Sequence, residues 1–143
     1  MNRLLLTLAL FLSVGVSRKT VVKLATLAPE GTEWHGMLIE MGQEWKKKSK
    51  KSVHLRVYPG GVIGDERDMV RKMRIGQIHA AAITTEGLSE IVPDFSAYYV
   101  PLAFQNSEDV MSVTEALLPS LEKQLEEQGF KLLHIGELGW AYW

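Results

Sequence analysis

Two glutamates, Glu66 and Glu86, follow two different predicted strands and stand at the beginning of the helices that come next. Because the carboxyl ends of parallel strands meet at one edge of a sheet, these two carboxylates are expected to converge there. A converging pair can perform acid–base chemistry. Acidic residues are also favoured in the first turn of a helix by the helix dipole alone, so the sequence leaves both interpretations open.

Other patterns that could carry chemistry are incomplete. The four histidines show no HxH or HxxxH spacing and do not predict a metal site. The glycine-rich run Pro59–Gly64 lacks the Gly-Lys-Ser/Thr of a P-loop and the GxGxxG spacing. The chain has no GxSxG motif and no cysteine, which excludes thiol catalysis and disulfides. The sequence therefore predicts a protein that is not an enzyme and that needs no cofactor or metal.

The bulk composition is that of a globular protein. The chain has 143 residues, 46% of them hydrophobic and 23% charged, with a formal net charge of −1. This balance argues against disorder and against nucleic-acid binding. Residues 1–85 carry 14 Lys/Arg and 7 Asp/Glu, whereas residues 86–143 carry 2 and 10. Five of the lysines lie between Lys46 and Lys51, where a solvated helix end is the simpler interpretation and a nucleic-acid patch the sharper one.

Residues 1–17 have the layout of a secretory signal peptide. Arg3 supplies the basic start, Leu4–Val16 is an apolar run, and small residues follow at its end. The run is shorter than the roughly 20 residues that a membrane-spanning helix needs. We therefore expect export from the cytoplasm and cleavage near Ser17, with an uncleaved N-terminal anchor as the alternative.

Residues 20–88 alternate between strand and helix patterns. Thr32 and Asp65 are suited to cap the two helices, and Trp34, Leu38, Met41 and Trp45 form an apolar stripe on the first. The predicted elements are a strand Thr20–Leu27, a helix to Lys48, a strand Val53–Tyr58, a helix Asp65–Ile75 and a strand Ile78–Thr84. Such a βαβαβ order predicts an α/β fold with a parallel sheet.

The second half of the chain is less regular. Ile91–Phe104 predicts an extended segment that packs on the domain, since Pro93 and Pro101 interrupt it. Ser107 is expected to cap a further helix that Pro119 kinks or divides, and Phe130–Ile135 predicts a fourth strand. The chain then ends on an aromatic run, which we interpret as a point where a longer protein continues.

Four blocks of sequence resemble the extracytoplasmic substrate-binding subunits of TRAP transporters, the DctP family. They are LATLAPEGTEWH (24–35), VYPGGVIGDERDMVRKMRIGQIHAAAITTEGL (57–88), VPDFSAYYVPLAF (92–104) and GFKLLHIGELGWAYW (129–143). The second block is the most specific, because a strand that ends in Tyr-Pro leads into the run Gly64–Arg67. The resemblance covers residues 20–143 at collinear spacing.

The resemblance implies a truncated member of a bilobed, periplasmic binding protein-like fold. Residues 18–143 would be the first lobe, a three-layer parallel-sheet unit, and the second lobe would be absent. The implied function is capture of a small organic acid and its delivery to the membrane permease of a TRAP transporter. The alternatives are a small exported flavodoxin-like enzyme or signalling domain, or a non-functional remnant.

The resemblance also implies ligand contacts. The family's loop after the first strand matches Leu27 to Trp34, a polar contact matches Glu66, and the end of the third strand matches Thr84 and Thr85. Trp140 is expected as a further wall. Since Leu27 and Ala28 are apolar, the implied ligand is a smaller or more apolar acid than a sugar acid. The arginine that pairs with the ligand carboxylate in this family lies in the second lobe and matches nothing in this chain.

Overall fold

The computed structural model describes residues 19–137. Three strands, four α-helices and one 3₁₀ helix follow one another within these residues. They are β1 (Thr20–Thr26), α1 (Glu33–Lys48), β2 (Val53–Tyr58), α2 (Glu66–Arg74), β3 (Ala80–Ala82), α3 (Thr85–Ser89), the 3₁₀ helix (Pro93–Tyr99) and α4 (Ser107–Glu127). The βαβαβ order predicted for the first half is confirmed.

The described strands form one parallel sheet in the order β2-β1-β3. Thr20 pairs with Val53 at one end of β1, and Thr26 pairs with Ala82 at the other. β3 is shorter than the predicted Ile78–Thr84, because Thr84 leaves the ladder to become the N-cap of α3. All three strands therefore deliver the chain to the same edge of the sheet, as parallel strands must.

Helices cover both faces of this sheet. Gly42 of α1 lies against Leu55, where an added Cβ would come within 3.0 Å of the Leu55 Cβ. Leu55 shares its face of the sheet with its register partner Val22, whereas Ala25, an odd number of residues further along β1, lies on the opposite face. There Ala25 packs in a buried cluster with Met69 of α2. The three-layer α/β architecture predicted from the sequence is confirmed.

The apolar stripe predicted on α1 packs less deeply than expected. None of the α1 residues is buried, and Trp34 is 47% exposed. α1 packs on β2, which is the outer strand of the described sheet, since Gly42 lies against Leu55. The part of the inward face of α1 that extends beyond β2 therefore has no described strand to pack against.

A second core holds the rest of the described chain to α2. Phe95 is completely buried among apolar side chains of α2, the 91–92 segment and α4, which are Val70, Ile91, Val92, Leu121 and Leu125. The prediction that Ile91–Phe104 is extended is wrong, since Pro93–Tyr99 forms a 3₁₀ helix. Pro93 stands at the first position of this helix, where its fixed φ favours helical backbone and its missing N–H costs nothing.

α4 differs from the prediction at two points. Its N-cap is Asn106, whose side chain accepts a hydrogen bond from the Asp109 N–H, and Ser107 is the first helical residue. Pro119 lies inside the helix without dividing it. Gly129 follows the helix with φ +81°, as expected for a residue that stops it.

The predicted fourth strand is wrong. Phe130 and Leu132 pack against the Phe95 core, while Leu133 is 79% exposed, so the segment does alternate. A strand also needs a neighbouring chain to bond, and the sheet of the described residues contains β1–β3 alone. Residues 1–17 and the predicted contact Trp140 lie outside the described residues. Within 19–137, no helix combines the length and apolarity required to cross a membrane.

Candidate functional site

The loop after β1 is bonded to the Pro-Gly-Gly turn after β2. The Gly60 N–H donates to the Ala28 carbonyl at 2.8 Å, and the Gly61 N–H donates to the Thr26 carbonyl at 3.1 Å. Gly60 and Gly61 have φ of +59° and +67°, a region that glycine enters without steric penalty. Leu27 packs over Gly61, where an added Cβ would come within 3.2 Å of the Leu27 Cδ2. The turn thus fixes the apolar loop residue Leu27 at the carboxyl edge of the sheet.

Glu66 joins the loop after β2 to the loop after β3. Its Oε1 accepts a hydrogen bond from the Thr84 N–H, and its Oε2 accepts one from the Thr84 hydroxyl, both at 2.7 Å. The same hydroxyl accepts a longer hydrogen bond, at 3.5 Å, from the Gly87 N–H and so caps α3. Hydrogen bonds to a carboxylate are stronger than those between neutral groups. The Glu66–Thr84 pair therefore sets the distance between two of the three loops.

Gly87 makes room for this pair. It is buried, and a Cβ added there would lie 2.7 Å from the Glu66 Oε2 and 2.9 Å from the Glu66 Cβ. The second contact involves an atom close to the backbone, which rotation of the Glu66 side chain cannot relieve. Sequence reasoning missed Gly87, although a glycine inside a short helix is itself a signal of a close approach.

We expect Gly87→Ala to destabilise the chain by about 1–3 kcal/mol, the usual cost of forcing an extra methyl group into packed surroundings. Gly36→Ala is the matched control, because Gly36 is an exposed α1 residue with no atom within 4 Å of an added Cβ. That control should be stabilising by up to about 1 kcal/mol through helix propensity. Urea unfolding followed by circular dichroism measures both. Equal midpoints for the two variants would contradict the close packing of Gly87 on Glu66.

An ion pair adds a further link between α2 and α3. The Arg67 guanidinium donates to the Glu90 Oε1 from its Nη2 at 2.8 Å and from its Nε at 3.1 Å. This hydrogen bond, with the charge of the carboxylate, raises the pKa of Arg67. Both side chains are exposed to solvent, so the pair contributes little to stability and mainly orients the end of α3.

The predicted site residues that belong to the described range 19–137 lie at one edge of the sheet, but only some of them take part in the hydrogen-bonded loops. Leu27, 44% exposed, belongs to the bonded loop after β1, and Glu66 and Thr84 bond each other. Trp34 stands half-exposed in the first turn of α1, and Thr85 is the first residue of α3. Neither takes part in the hydrogen bonds that tie the three loops. Glu66 accepts both of its hydrogen bonds from Thr84, and its pairing with Glu86 for acid–base chemistry stays a prediction.

A shallow groove lies elsewhere, between α1 and β2. Its volume is about 220 Å³, and its walls include Leu38, Gly42, Lys46 and Leu55. It runs along the outer strand of the described sheet, and its lining also includes the polar side chains of Gln43 and His54. Among residues 19–137, no group of three or more His, Asp or Glu side chains is placed to hold a metal ion. The loop edge, where Glu66 and Thr84 are bonded at the carboxyl ends of parallel strands, is the better candidate for a ligand site.

The architecture is that of the periplasmic solute-binding proteins of TRAP transporters. A TRAP periplasmic solute-binding protein of Haemophilus influenzae, solved with bound L-gulonate, superimposes with a TM-score of 0.69 at 24% identity, over 81% of this chain and 38% of its own. A TRAP periplasmic solute-binding protein of Roseobacter denitrificans, solved with bound L-galactonate, gives 0.67 at 25% identity, over 77% and 37%.

Sequence comparison identifies the family. The model of DctP, the bacterial extracellular solute-binding protein family 7, matches residues 24–143, and this chain belongs to that family. A solute-binding protein of Roseobacter denitrificans is 27% identical over 116 residues, which are 81% of this chain and 35% of the relative. The chain thus spans about a third of the length of this relative. The resemblance inferred from the four sequence blocks is confirmed, and the flavodoxin-like alternative is not favoured.

Proposed function

We propose that this chain forms the first lobe, residues 18–143, of a TRAP solute-binding protein that captures a small organic acid and delivers it to a membrane permease. The observation that carries the proposal is the bonded edge of the sheet. There the loop after β1 is tied to the turn after β2, and Glu66 is tied to Thr84 after β3. Three loops with fixed spacing at the carboxyl ends of parallel strands form a wall on which a ligand can rest.

The same geometry indicates which end of the ligand this wall meets. An ionised carboxylate only accepts hydrogen bonds, so Glu66 can bind a hydroxyl or amine of the ligand but repels its carboxylate. Each Glu66 oxygen keeps acceptor capacity beyond its bond to Thr84. The acid group of the ligand therefore points away from Glu66, toward a cation supplied from outside the described residues. The second lobe is the place where the family resemblance puts such a cation.

The rest of the wall is apolar. Leu27 and Trp34 expose much of their side chains near this edge, and Thr85 and Trp140 complete the set of proposed contacts. Burying exposed apolar area against a ligand is favourable by about 25 cal/mol per Å². This composition supports an organic acid with an apolar portion over a polyhydroxylated one.

The setting of this activity follows from the family and from the N-terminal sequence. DctP proteins are extracellular solute-binding proteins. We propose that residues 1–17 direct export to the periplasm and that the exported protein meets the permease there. We assign it no catalytic role, since family members bind solutes rather than transform them.

A thermal-shift panel on the product of the complete reading frame tests the proposal. The probes are L-galactonate, L-gulonate and two acids that combine an apolar ring with a hydroxyl remote from the carboxylate, 4-hydroxybenzoate and 4-hydroxyphenylacetate, with galactitol as the uncharged control for the sugar acids. A ligand at about a hundred times its Kd stabilises by about 2.7 kcal/mol, which is a clear increase in Tm. We expect the two apolar acids to give the largest increases. An increase with the sugar acids alone would contradict the apolar preference, and no increase with any acid would contradict acid binding altogether.

A further inference from the structure

The outer strand β2 leaves one side of its backbone open. The Thr20 N–H donates to the Ser52 carbonyl at 2.7 Å, and Thr20 is the register partner of Val53. Because residues that bond one neighbouring strand alternate with residues that face away from it, Leu55 and Val57 point their N–H and C=O groups away from β1. Among residues 19–137, β1 is the one strand that pairs with β2. These groups are therefore available to bond an added strand.

The open stretch is short and has defined ends. Val53 also faces outward, but its N–H donates to the Ser49 Oγ at 2.9 Å. Pro59, which follows β2, has no N–H to offer. The available stretch is therefore Leu55–Val57, which we call the β2 edge. Each of its two outward-facing residues supplies one donor and one acceptor, which suits a short extended peptide.

An apolar groove lies directly beside the β2 edge. The side chains of Leu55 and Val57 line it from β2, and those of Leu38 and Ile39 line it from α1. Its volume is about 220 Å³, and Ile39 is 40% exposed. A peptide that bonds the β2 edge would place every second side chain over this groove. The groove therefore favours apolar residues at alternate positions of the peptide.

Cations flank the β2 edge on both faces of the sheet. Lys46 lines the groove on the α1 side. Arg56 lies between Leu55 and Val57 and so projects from the opposite face, where its guanidinium is 5.2 Å from the centre of the Tyr58 ring. Both cations are exposed, and none of the ion pairs among residues 19–137 includes either of them. Their charge attracts an acidic occupant and repels a basic one.

The same charges disfavour a second copy of this chain as the occupant. Two β2 edges that paired antiparallel about a twofold axis would bring both copies of Arg56 close together, since Arg56 lies near the middle of Val53–Tyr58. Like charges opposite each other on neighbouring strands are destabilising. Edge strands commonly carry charges that prevent such self-association. The β2 edge thus fits a strand of opposite charge.

We propose that the β2 edge binds an extended acidic segment of a partner protein by strand addition. The backbone of the segment bonds Leu55 and Val57, its apolar side chains cover the groove, and the acidic residues between them meet Arg56 on the other face. The fitting sequence therefore alternates apolar and acidic residues. The β2 edge runs along the side of the sheet, whereas the ligand loops lie at the ends of its strands, so a bound segment leaves those loops free.

A fluorescent peptide that alternates glutamate with valine tests the proposal on the product of the complete reading frame. Fluorescence polarisation compares it with a peptide that has lysine in place of glutamate, and with a glutamate peptide whose backbone nitrogens are all methylated. Both controls should bind at least about tenfold more weakly, because the first carries the wrong charge and the second cannot donate backbone hydrogen bonds. Equal binding of either control would overturn strand addition by an acidic segment.

Hydrogen–deuterium exchange locates the bound peptide. The outward N–H groups of Leu55 and Val57 should exchange rapidly in the free protein, and the glutamate peptide should slow both by at least about tenfold. Slower exchange elsewhere, with these two unchanged, would contradict the assignment. If both were already slow in the absence of peptide, and the protein dimerised with increasing concentration, the occupant would be a second copy and the proposal would be wrong.

Variants assign the charge preference to the two flanking cations. Lys46→Gln combined with Arg56→Gln should weaken binding of the glutamate peptide about tenfold, since one exposed ion pair contributes up to about fivefold. The matched control, Lys123→Gln combined with Lys131→Gln, removes two exposed cations that lie outside the β2 edge. That control should bind as the wild-type protein does. Equal losses in both double variants would show that net charge alone attracts the peptide and would overturn the proposal.

Discussion

Phe95→Ala is expected to lower the free energy of unfolding by about 3–5 kcal/mol, the range observed when a buried phenylalanine is truncated. Phe95 is 0% exposed and lies between α2 and α4, in contact with the Val70 cluster that joins the two halves of the described chain. Its removal leaves a cavity in the contact that holds α4 and the 3₁₀ helix to the sheet. Since a domain of this size has a total stability of about 5–15 kcal/mol, much of the fold depends on this one ring.

The control for this prediction is Leu133→Ala. Leu133 is 79% exposed, so its replacement should change stability by less than about 0.5 kcal/mol. Urea unfolding, followed by circular dichroism in the near and far ultraviolet, gives the free energy of unfolding of both variants. An ordinary substitution lowers the free energy of unfolding by roughly 1 kcal/mol. If Phe95→Ala lowered it by no more than this, the second core would not be the principal link between α2 and α4.

Gly64→Ala is the second substitution with a large expected effect. Gly64 has φ +118°, and an added Cβ would lie 2.4 Å from the Asp68 Oδ2 and 2.6 Å from the Asp68 Cβ. A positive φ costs a residue with a Cβ about 1–2 kcal/mol. The overlap with Asp68 adds about 1–3 kcal/mol, because the Asp68 Cβ can move only with the first turn of α2. That turn carries Glu66, so both the fold and the loop edge should suffer.

Gly76→Ala is the control that separates the backbone cost of a positive φ from the steric overlap with Asp68. Gly76 also has a positive φ, +70°, but no atom lies within 4 Å of an added Cβ. This control should lose only the backbone term, about 1–2 kcal/mol. Differential scanning calorimetry compares the two variants with the wild-type chain. A Gly64→Ala variant no less stable than Gly76→Ala would mean that Asp68 and α2 adjust without cost, contrary to the packing described.

Local signals in the sequence predicted much of the fold. The β2 strand has the predicted bounds, and Thr32 and Asp65 cap α1 and α2 with their own side chains. A capping side chain bonds a backbone group three residues away, so its sequence signature is independent of the rest of the fold. At α4, Asn106 and Ser107 are both good caps, and such neighbours cannot be ranked from sequence alone.

The predictions that failed depended on contacts between residues far apart in the sequence rather than on local signals. Phe130–Ile135 alternates as a strand does, but pairing depends on a neighbour that is remote in sequence. The Pro93–Tyr99 segment was expected to be extended because of its prolines, whereas Pro93 begins a helix. Trp34 had two predicted roles, on the packed stripe of α1 or as a wall of the ligand site, and its 47% exposure does not fit the first. In each case tertiary surroundings, rather than local pattern, decided the outcome.

The sequence predicted where the candidate site lies but not the hydrogen bonds within it. The topology put the loops after the three strands at one edge, because parallel strands deliver their carboxyl ends together, and the family resemblance singled out Leu27, Glu66 and Thr84 within those loops. That Glu66 would bond both the N–H and the hydroxyl of Thr84 was not predictable, since it depends on the close approach of Gly87. The role of Glu66 is correspondingly refined, from a free polar contact to one that also positions the loop after β3.

Hydrogen–deuterium exchange on the product of the complete reading frame can show whether the loops at the carboxyl edge of the sheet bind the acid. The probe is whichever acid of the thermal-shift panel stabilises the protein most, with galactitol as the control. We expect the acid to slow exchange in three separate segments, around Leu27–Trp34, around Glu66 and around Thr84–Thr85, while galactitol leaves them unchanged. Slower exchange confined to the groove between α1 and β2, or no change in these three segments, would contradict the assignment of the loop edge as the acid-binding wall.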